Sequence, residues 1–270
     1  MPEGDTIHRA ARALHTALAG QRVERFESVL PQLTRVDADH PIASRHVERV
    51  EARGKHLLMW FEGDLVLRTH MRMHGSWHIY RPGERWQRPR HELRILIATP
   101  SYVAVAFAVP VAEFVPAGSL DREGPVAELG PDLLSDGFDA ADACARLAAR
   151  PDMEIADALL DQRALAGIGN VFKSEVLFAA RVSPFTPVRA LSAGQLQRIV
   201  AVATRQMRAN VGDGATAGRR TTNRLDPSAR LWVYGRRNLP CRRCGAPIHR
   251  AKQGPDARST YWCERCQVRA

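Results

Sequence analysis

Four of the five cysteines stand as two pairs, Cys241-x2-Cys244 and Cys263-x2-Cys266, with eighteen residues between them. Thiolates two residues apart can bend back onto one ion, and two such pairs close a tetrahedral shell of four sulfurs. A shell without an open position predicts a structural zinc ion that takes no part in bond breaking. Disulfides are the competing reading, disfavoured where thiols stay reduced. His249 lies between the pairs and offers a nitrogen, but four thiolates already suffice. Cys144, in an alanine-rich stretch, reads as a small buried residue.

The N-terminus offers a different chemistry. Loss of Met1 would expose the secondary amine of Pro2 beside the carboxyl of Glu3. An α-amino group titrates near ~8, against about 10.4 for lysine, so more of it is neutral and able to attack an electrophilic carbon. Proline's amine is more basic than that, and the positive end of a following helix would restore its reactivity. A second-position proline is also common where it does nothing. Lys55 stands out because only 3 of the 39 basic residues are lysines. It follows Gly54 at the start of an apolar run, and its ammonium could donate to a phosphate or steady a leaving group; a plain surface cation is the alternative. In Leu165-Ala-Gly167-Ile-Gly169-Asn170, two glycines let the backbone approach a ligand and Asn170 is placed to cap the next helix. Such a turn aims N–H groups outward and suits a phosphate, though it would also serve as an ordinary helix connection.

These groups need elements to hold them, and 270 residues with 45% hydrophobic content provide for two or three domains. Global disorder is excluded. No run approaches the ~18–20 apolar residues of a membrane span, and Met1-Pro2-Glu3-Gly4-Asp5 has neither the basic start nor the apolar stretch of a signal peptide. A cytoplasmic chain without membrane contact is expected. Of the 39 basic and 29 acidic residues, 15 and 4 fall in residues 201–270, so the whole surplus sits in the last quarter. A confined basic segment is the usual footprint of a polyanion, because neutralised phosphates release counterions; a solvated arginine-rich surface is the alternative.

The fold expected is α+β. Ile7, Ala10, Ala11, Leu14, Ala17 and Leu18 share one helical face, with Asp5 or Thr6 to cap the start and Gly20 to stop it. Short β-branched or alternating runs follow at 22–29, 46–53, 56–61, 65–69, 93–98 and 102–109, without helices between them. They predict an N-terminal antiparallel β-sandwich over residues 1–115. A Gly- and Pro-rich linker is expected at 116–131. Helical patterns come next at 140–149, 154–166, 171–180 and 193–210, the last opened by a Ser192/Gln195 capping box. They define a helical domain over 132–235, with a Gly-, Arg- and Thr-rich loop at 212–226. The four-cysteine element occupies 236–270.

Taken together, Pro2-Glu3-Gly4, Arg53-Gly54-Lys55, Asp161-Gln162 through Gly167-Ile-Gly169-Asn170, and Arg258-Ser-Thr-Tyr-Trp-Cys263 within the four-cysteine element resemble the formamidopyrimidine-DNA glycosylase/endonuclease VIII family. The likeness runs through essentially the whole chain in order and is nearer the endonuclease VIII branch. It implies a sandwich, a helix–two-turn–helix domain and a zinc-finger hairpin. It also implies a monomeric bacterial repair enzyme acting at the nucleoid on damaged duplex, bubble or single-stranded DNA. The activity implied is removal of oxidised bases, pyrimidines foremost, followed by abasic-site cleavage through β- and δ-elimination. The base is flipped out, since its glycosidic bond is out of reach in the stack. On this likeness Pro2 attacks sugar C1′, Glu3 supplies a proton to help open the sugar ring, and Lys55 transfers protons and contacts phosphate. Asn170, with Gly167 and Gly169, and Arg258 bind phosphate near the lesion; one structural zinc on Cys241, Cys244, Cys263 and Cys266 holds the hairpin. The turn His70-Met-Arg72-Met73-His74-Gly75 falls where the family fills the gap left by the flipped base, Met73 as a flexible filler and Arg72 toward the orphaned partner base. Thr6 departs from the glutamate of better-known endonuclease VIII members, which bears on the lesion preferred.

Two other classes share some features. A nucleic-acid binder that lost the chemistry would keep the basic tail and zinc element but would not need Pro2, Glu3 and Lys55 together. An unrelated zinc-ribbon factor would account for Cys241–Cys266 alone.

Overall fold

The computed structural model describes residues 2–212, 218–222, 224 and 226–268. The chain divides into two compact units, Met1–Glu128 and Leu129–Ala270.

In the first unit, helix α1 (Gly4–Leu18) precedes β1 (Arg25–Ser28), α2 (Pro31–Asp39), β2 (Val47–Arg53), β3 (His56–Phe61), β4 (Leu65–His70), β5 (Ser76–Tyr80), β6 (Leu93–Ala98), β7 (Val103–Phe107), β8 (Val111–Pro116) and the short α3 (Gly124–Ala127). The strands form two four-stranded antiparallel sheets, ordered β1-β6-β7-β5 and β2-β3-β4-β8. Alternation turns Leu57, Met59 and Phe61 of one sheet and Ile95 and Ile97 of the other into a shared core, closed by Ile7, Leu14 and Leu18 of α1. The expected sandwich is therefore present. α1 begins at Gly4 with Glu3 at the N-cap, not at Asp5 or Thr6: both lie within the first turn, and Asp5 is buried. No helix is expected between the strands from sequence, but α2 forms there, started by Pro31 at a position where the missing N–H costs nothing. Residues 116–131, expected as a linker, contain the boundary between the two units. Leu120 and Val126 are buried, and the segment carries a 3₁₀ turn (Ala117–Ser119) and α3.

The second unit contains α4 (Ala140–Ala148), α5 (Ile155–Ala158), α6 (Asn170–Ala180), α7 (Ala193–Ala209) and the hairpin β9 (His249–Gln253)–β10 (Arg258–Trp262). The Ser192/Gln195 capping box opens α7 as expected. The helix expected over 154–166 is only the single turn α5. Beyond it, Asp161 accepts from the Arg163 N–H (2.9 Å) and the Gln162 side chain bonds the Leu160 and Ile168 carbonyls (2.8 and 3.1 Å), which favours turns. α6 packs on α7 on one side and on β10 on the other, so the four-cysteine element sits directly on the helices. Buried Glu175 of α6 ties them together: its carboxylate accepts from the N–H groups of Trp232, Val233 and Tyr234 (each 2.8 Å) and from the Thr221 hydroxyl. Within the loop expected at 212–226, residues 213–217, 223 and 225 lie outside the described residues. Its described part is anchored, with Asn210 bonding the Arg220 carbonyl and N–H (both 2.7 Å).

Candidate active site and nucleic-acid interface

In the first unit, the site grows from one end of a sheet. His56, the first residue of β3, pairs with His70, the last of β4, so Lys55 and Met71 leave the sheet side by side. Gly54 turns the β2–β3 connection at φ +58°. α1 runs back toward this end. Its last turn is tied to the far end of β2 by Gly20 N–H to the Val47 carbonyl (2.8 Å), and His15 Nδ1 accepts from the Val50 N–H (3.1 Å). From His15 the helix rises ~18 Å to Glu3 at 1.5 Å per residue, while β2 advances ~10 Å from Val50 to its last residue, Arg53, at 3.3 Å per residue. The helix thus carries Pro2 and Glu3 in the direction of the β2 end that leads into the Gly54-Lys55 turn. Glu3 is fully buried and Pro2 half-buried. The Glu3 carbonyl accepts the N–H groups of Thr6 and Ile7 (2.9 and 3.1 Å), which starts the helix and leaves its positive end behind Pro2. Met1 lies outside the described residues. Thr6 is half-buried and its hydroxyl donates to Asp5 (3.3 Å).

The turn after β4 is a built platform. Met71 is sunk in the core, and Arg72 takes a left-handed φ of 50° with its N–H donating to His70 Nδ1 (3.1 Å). Gly75 N–H closes on the Met71 carbonyl (2.9 Å), and a side chain at Gly75 would start only 2.5 Å from that oxygen. Arg72, Met73 and His74 are left projecting, with Met73 half exposed at 50%.

His56 carries no signal in the sequence, and His70 is visible there only as the start of the insertion turn. His56 and His70 meet edge to face at 5.0 Å, and His56 Nδ1 faces the Arg68 guanidinium at 3.0 Å. Arg68, itself buried, is paired with Glu113 (2.6 Å). Burial first, then His70 and the cations Arg68, Arg72 and Lys55, push His56 down to about 3. Burial, followed by Arg72, Lys55 and Arg68, lowers His70 to about 4. Both rings are neutral at physiological pH. Since His70 Nδ1 accepts a backbone N–H, its proton sits on Nε2, which makes it an uncharged donor in a field of cations. Only the cross-strand register brings these rings together.

The second unit holds the other expected groups. Gly167 adopts φ +100°, and the Gln162 side chain accepts its N–H (3.1 Å), fixing the turn. Gly169, rather than Asn170, is the N-cap of α6 and provides no side-chain cap, so Asn170 is the first helical residue. Asn170 is buried, and its Oδ1 has no hydrogen-bond partner among the described residues. An anion could be engaged here by the backbone N–H groups of the first helical turn, whereas Asn170 Oδ1 can only accept. Arg258 begins β10 beside the 254–257 turn, with its side chain 41% exposed and 3.3 Å from the Asp256 carboxylate. Its strand is held by the buried Thr260, which donates to Gln253 (2.6 Å) and accepts from Lys173 of α6 (2.8 Å).

The four thiol sulfurs of Cys241, Cys244, Cys263 and Cys266 all lie within 4.8 Å of one another. Two separations are 3.9 Å (Cys241–Cys266) and 3.5 Å (Cys244–Cys263). A zinc–sulfur distance of ~2.3 Å gives a tetrahedron with edges of about 3.8 Å, so the quartet fits one zinc ion. These separations are far from the ~2.05 Å of a disulfide, and all five cysteines are free. Cys144 is half-buried, less enclosed than expected, and burial raises its thiol.

Three family profiles match in chain order: the formamidopyrimidine-DNA glycosylase N-terminal domain (residues 1–108), the formamidopyrimidine-DNA glycosylase H2TH domain (129–221) and the zinc finger found in FPG and IleRS (238–268). The chain belongs to the formamidopyrimidine-DNA glycosylase/endonuclease VIII family. Among similar proteins, the probable endonuclease 8 2 of Streptomyces coelicolor is 42% identical, over 99% of this chain and 94% of that protein. The DNA-(apurinic or apyrimidinic site) lyase Nei2 of Mycolicibacterium smegmatis is 37% identical over 99% of both chains. The endonuclease 8 of Escherichia coli O1:K1 / APEC is 30% identical over 99% of this chain and all of that one. The fold also matches Lactococcus lactis formamidopyrimidine-DNA glycosylase bound to DNA containing an abasic site, with a TM-score of 0.84, 21% identity, and coverage of 99% and 100% of the two chains. The endonuclease VIII names among these relatives agree with the branch expected from the sequence. No helix among the described residues is long and apolar enough to cross a membrane.

Proposed function

We propose that this chain is a base-excision-repair DNA glycosylase with abasic-site lyase activity, acting on oxidised bases, pyrimidines foremost. What supports this reading is that the first unit offers a buried Glu3 at the N-cap of α1 directly after Pro2, and Lys55 beside the start of the Met71–Gly75 turn at one end of the β3–β4 pair. The relatives named endonuclease 8 and DNA-(apurinic or apyrimidinic site) lyase support it.

After loss of Met1, the neutral Pro2 nitrogen attacks C1′ of a flipped nucleotide, and the base leaves as the C1′–N bond breaks. Glu3 protonates the ring oxygen as the sugar opens, giving an iminium between Pro2 and C1′. The iminium acidifies the C2′ proton; its removal expels the 3′-phosphate, and a second elimination expels the 5′-phosphate, leaving a one-nucleotide gap. Lys55 carries protons and contacts phosphate, with neutral His70 as a neighbouring donor. Met73 and Arg72 fill the space vacated by the base. Asn170 at the helix end, the Gly167–Gly169 turn and Arg258 grip phosphates, and zinc on Cys241, Cys244, Cys263 and Cys266 keeps the Arg258 hairpin folded. One chain carries every group the reaction needs, so a monomer suffices.

The test is incubation with duplexes containing one oxidised pyrimidine, one oxidised purine or one abasic site. Fragments ending in phosphate on both sides of a one-nucleotide gap are expected, fastest from the pyrimidine among the damaged bases. Tight binding of all three without cleavage would overturn the proposal.

A further inference from the structure

The β5–β6 connection, residues 81–92, is rich in arginine yet has no part in the chemistry above. It is not loose. Trp86 packs against Phe107 and Tyr80 (centroids 5.6 and 6.4 Å), and the Gln87 N–H donates to the Tyr80 hydroxyl (3.0 Å). This anchoring delivers Arg88 to the back of the Met71–Gly75 turn. There Arg88 Nη1 donates to the His74 carbonyl (2.9 Å) and to the Ser76 hydroxyl (2.8 Å), while Nη2 pairs with Glu92. The Ser76 hydroxyl is in turn hydrogen-bonded with His78 Nε2 (2.9 Å), whose pKa is lowered by burial and then by the nearby Arg88 charge.

We propose that Arg88 is a positioning residue for the insertion turn: its guanidinium clamps the His74 carbonyl and Ser76 hydroxyl, so that Met73 meets the DNA as a rigid wedge. The proposal rests on the reading of that turn as the element that fills the vacated space. The first half of the turn is fixed by buried Met71 and by the Arg72–His70 bond, whereas the other half is held from outside by Arg88. A wedge that drives a base out must resist the stack, and a turn free to retreat would lose that push. Charge-assisted bonds in a fork geometry suit such a clamp better than a single ammonium.

The test compares wild type, Arg88→Met, Arg88→Lys, Met73→Ala and the double variant Arg88→Met/Met73→Ala, all zinc-loaded. Single-turnover excision of an oxidised pyrimidine is read beside cleavage of a preformed abasic site, which has no base to extrude. Loss of a charge-assisted clamp should slow excision by Arg88→Met about tenfold, with a much smaller effect on the abasic duplex. Arg88→Lys should recover part of the rate, and the double variant should be no slower than Met73→Ala, because both act through one turn. Slow excision by Met73→Ala with normal excision by Arg88→Met would sink the clamp alone. Normal excision by both would sink the insertion reading and the clamp with it. Equal losses on the two duplexes, or full additivity in the double variant, would show that Arg88 does not act through the turn. Should Arg88→Met fail to fold, Arg88→Lys faces the same comparisons with a smaller expected loss.

Discussion

The neutral histidine pair beneath Lys55 makes the first unit acid-sensitive in a way that can be calculated. His56 is buried and its pKa falls from 6.5 to about 3. The unfolded chain therefore binds a proton between about pH 6.5 and pH 3 that the folded chain does not, so this contribution to stability is complete above pH 6.5 and is lost as pH falls. At pH 5 the unfolded imidazole lies 1.5 pH units below its midpoint, which at about 1.36 kcal/mol per unit corresponds to ~2 kcal/mol. That figure needs only a folded pKa below 5. His70, lowered to about 4, acts in the same direction with a smaller share because it is partly exposed. His56→Gln removes the titration while leaving an amide oxygen to accept from Arg68. It should change stability little at pH 7 and shrink the loss between pH 7 and pH 5 by ~2 kcal/mol, a urea midpoint difference of roughly 1 M for a slope near 2 kcal/mol/M. Urea titration with hydrogen exchange on the β3 and β4 amides reads the first unit within the full chain. Equal acid losses in wild type and variant would refute the assignment of a neutral His56 in the folded state.

Further outcomes concern the grip on DNA. Arg258→Ala should weaken binding on every sequence and lower the slope of log affinity against log salt by ~0.9, one phosphate's worth of counterion release. Asn170→Ala should also weaken binding but leave that slope nearly unchanged, because it removes a dipolar contact and no charge. Chelation should release the hairpin bearing Arg258 and abolish tight DNA binding while the sandwich stays folded, as circular dichroism and filter binding would show. Undiminished affinity after complete metal removal would count against a structural zinc.

Local signals are readable in the sequence wherever one segment decides its own conformation. The cysteine spacing, the α1 stripe, the Ser192/Gln195 box and the strands that build the shared core all belong to this class. Segments 154–166 and 116–131 are harder. Residues 154–166 space Glu154, Asp157 and Asp161 among apolar residues as a helix would, and the pattern does not reveal that the Asp161 and Gln162 side chains bond nearby backbone groups and turn the chain instead. Residues 116–131 have the composition of a linker, with Gly118, Gly124 and Pro125, yet Leu120 and Val126 anchor them. At the site, Pro2, Glu3 and Lys55 are legible as residue types. His56 and Arg88 are not, and His70 is legible only as the start of the insertion turn, because their roles depend on cross-strand register and on a loop returning to a turn distant in sequence.

The central claim is a covalent bond between the Pro2 nitrogen and the deoxyribose. Borohydride added during reaction with abasic-site duplex should reduce the iminium to a stable cross-link, and mass spectrometry of the digest should place the sugar on an N-terminal peptide that begins at Pro2. A cross-link mapped to Lys55 or elsewhere, or strand cleavage that proceeds equally fast with the terminal nitrogen acetylated, would contradict the account.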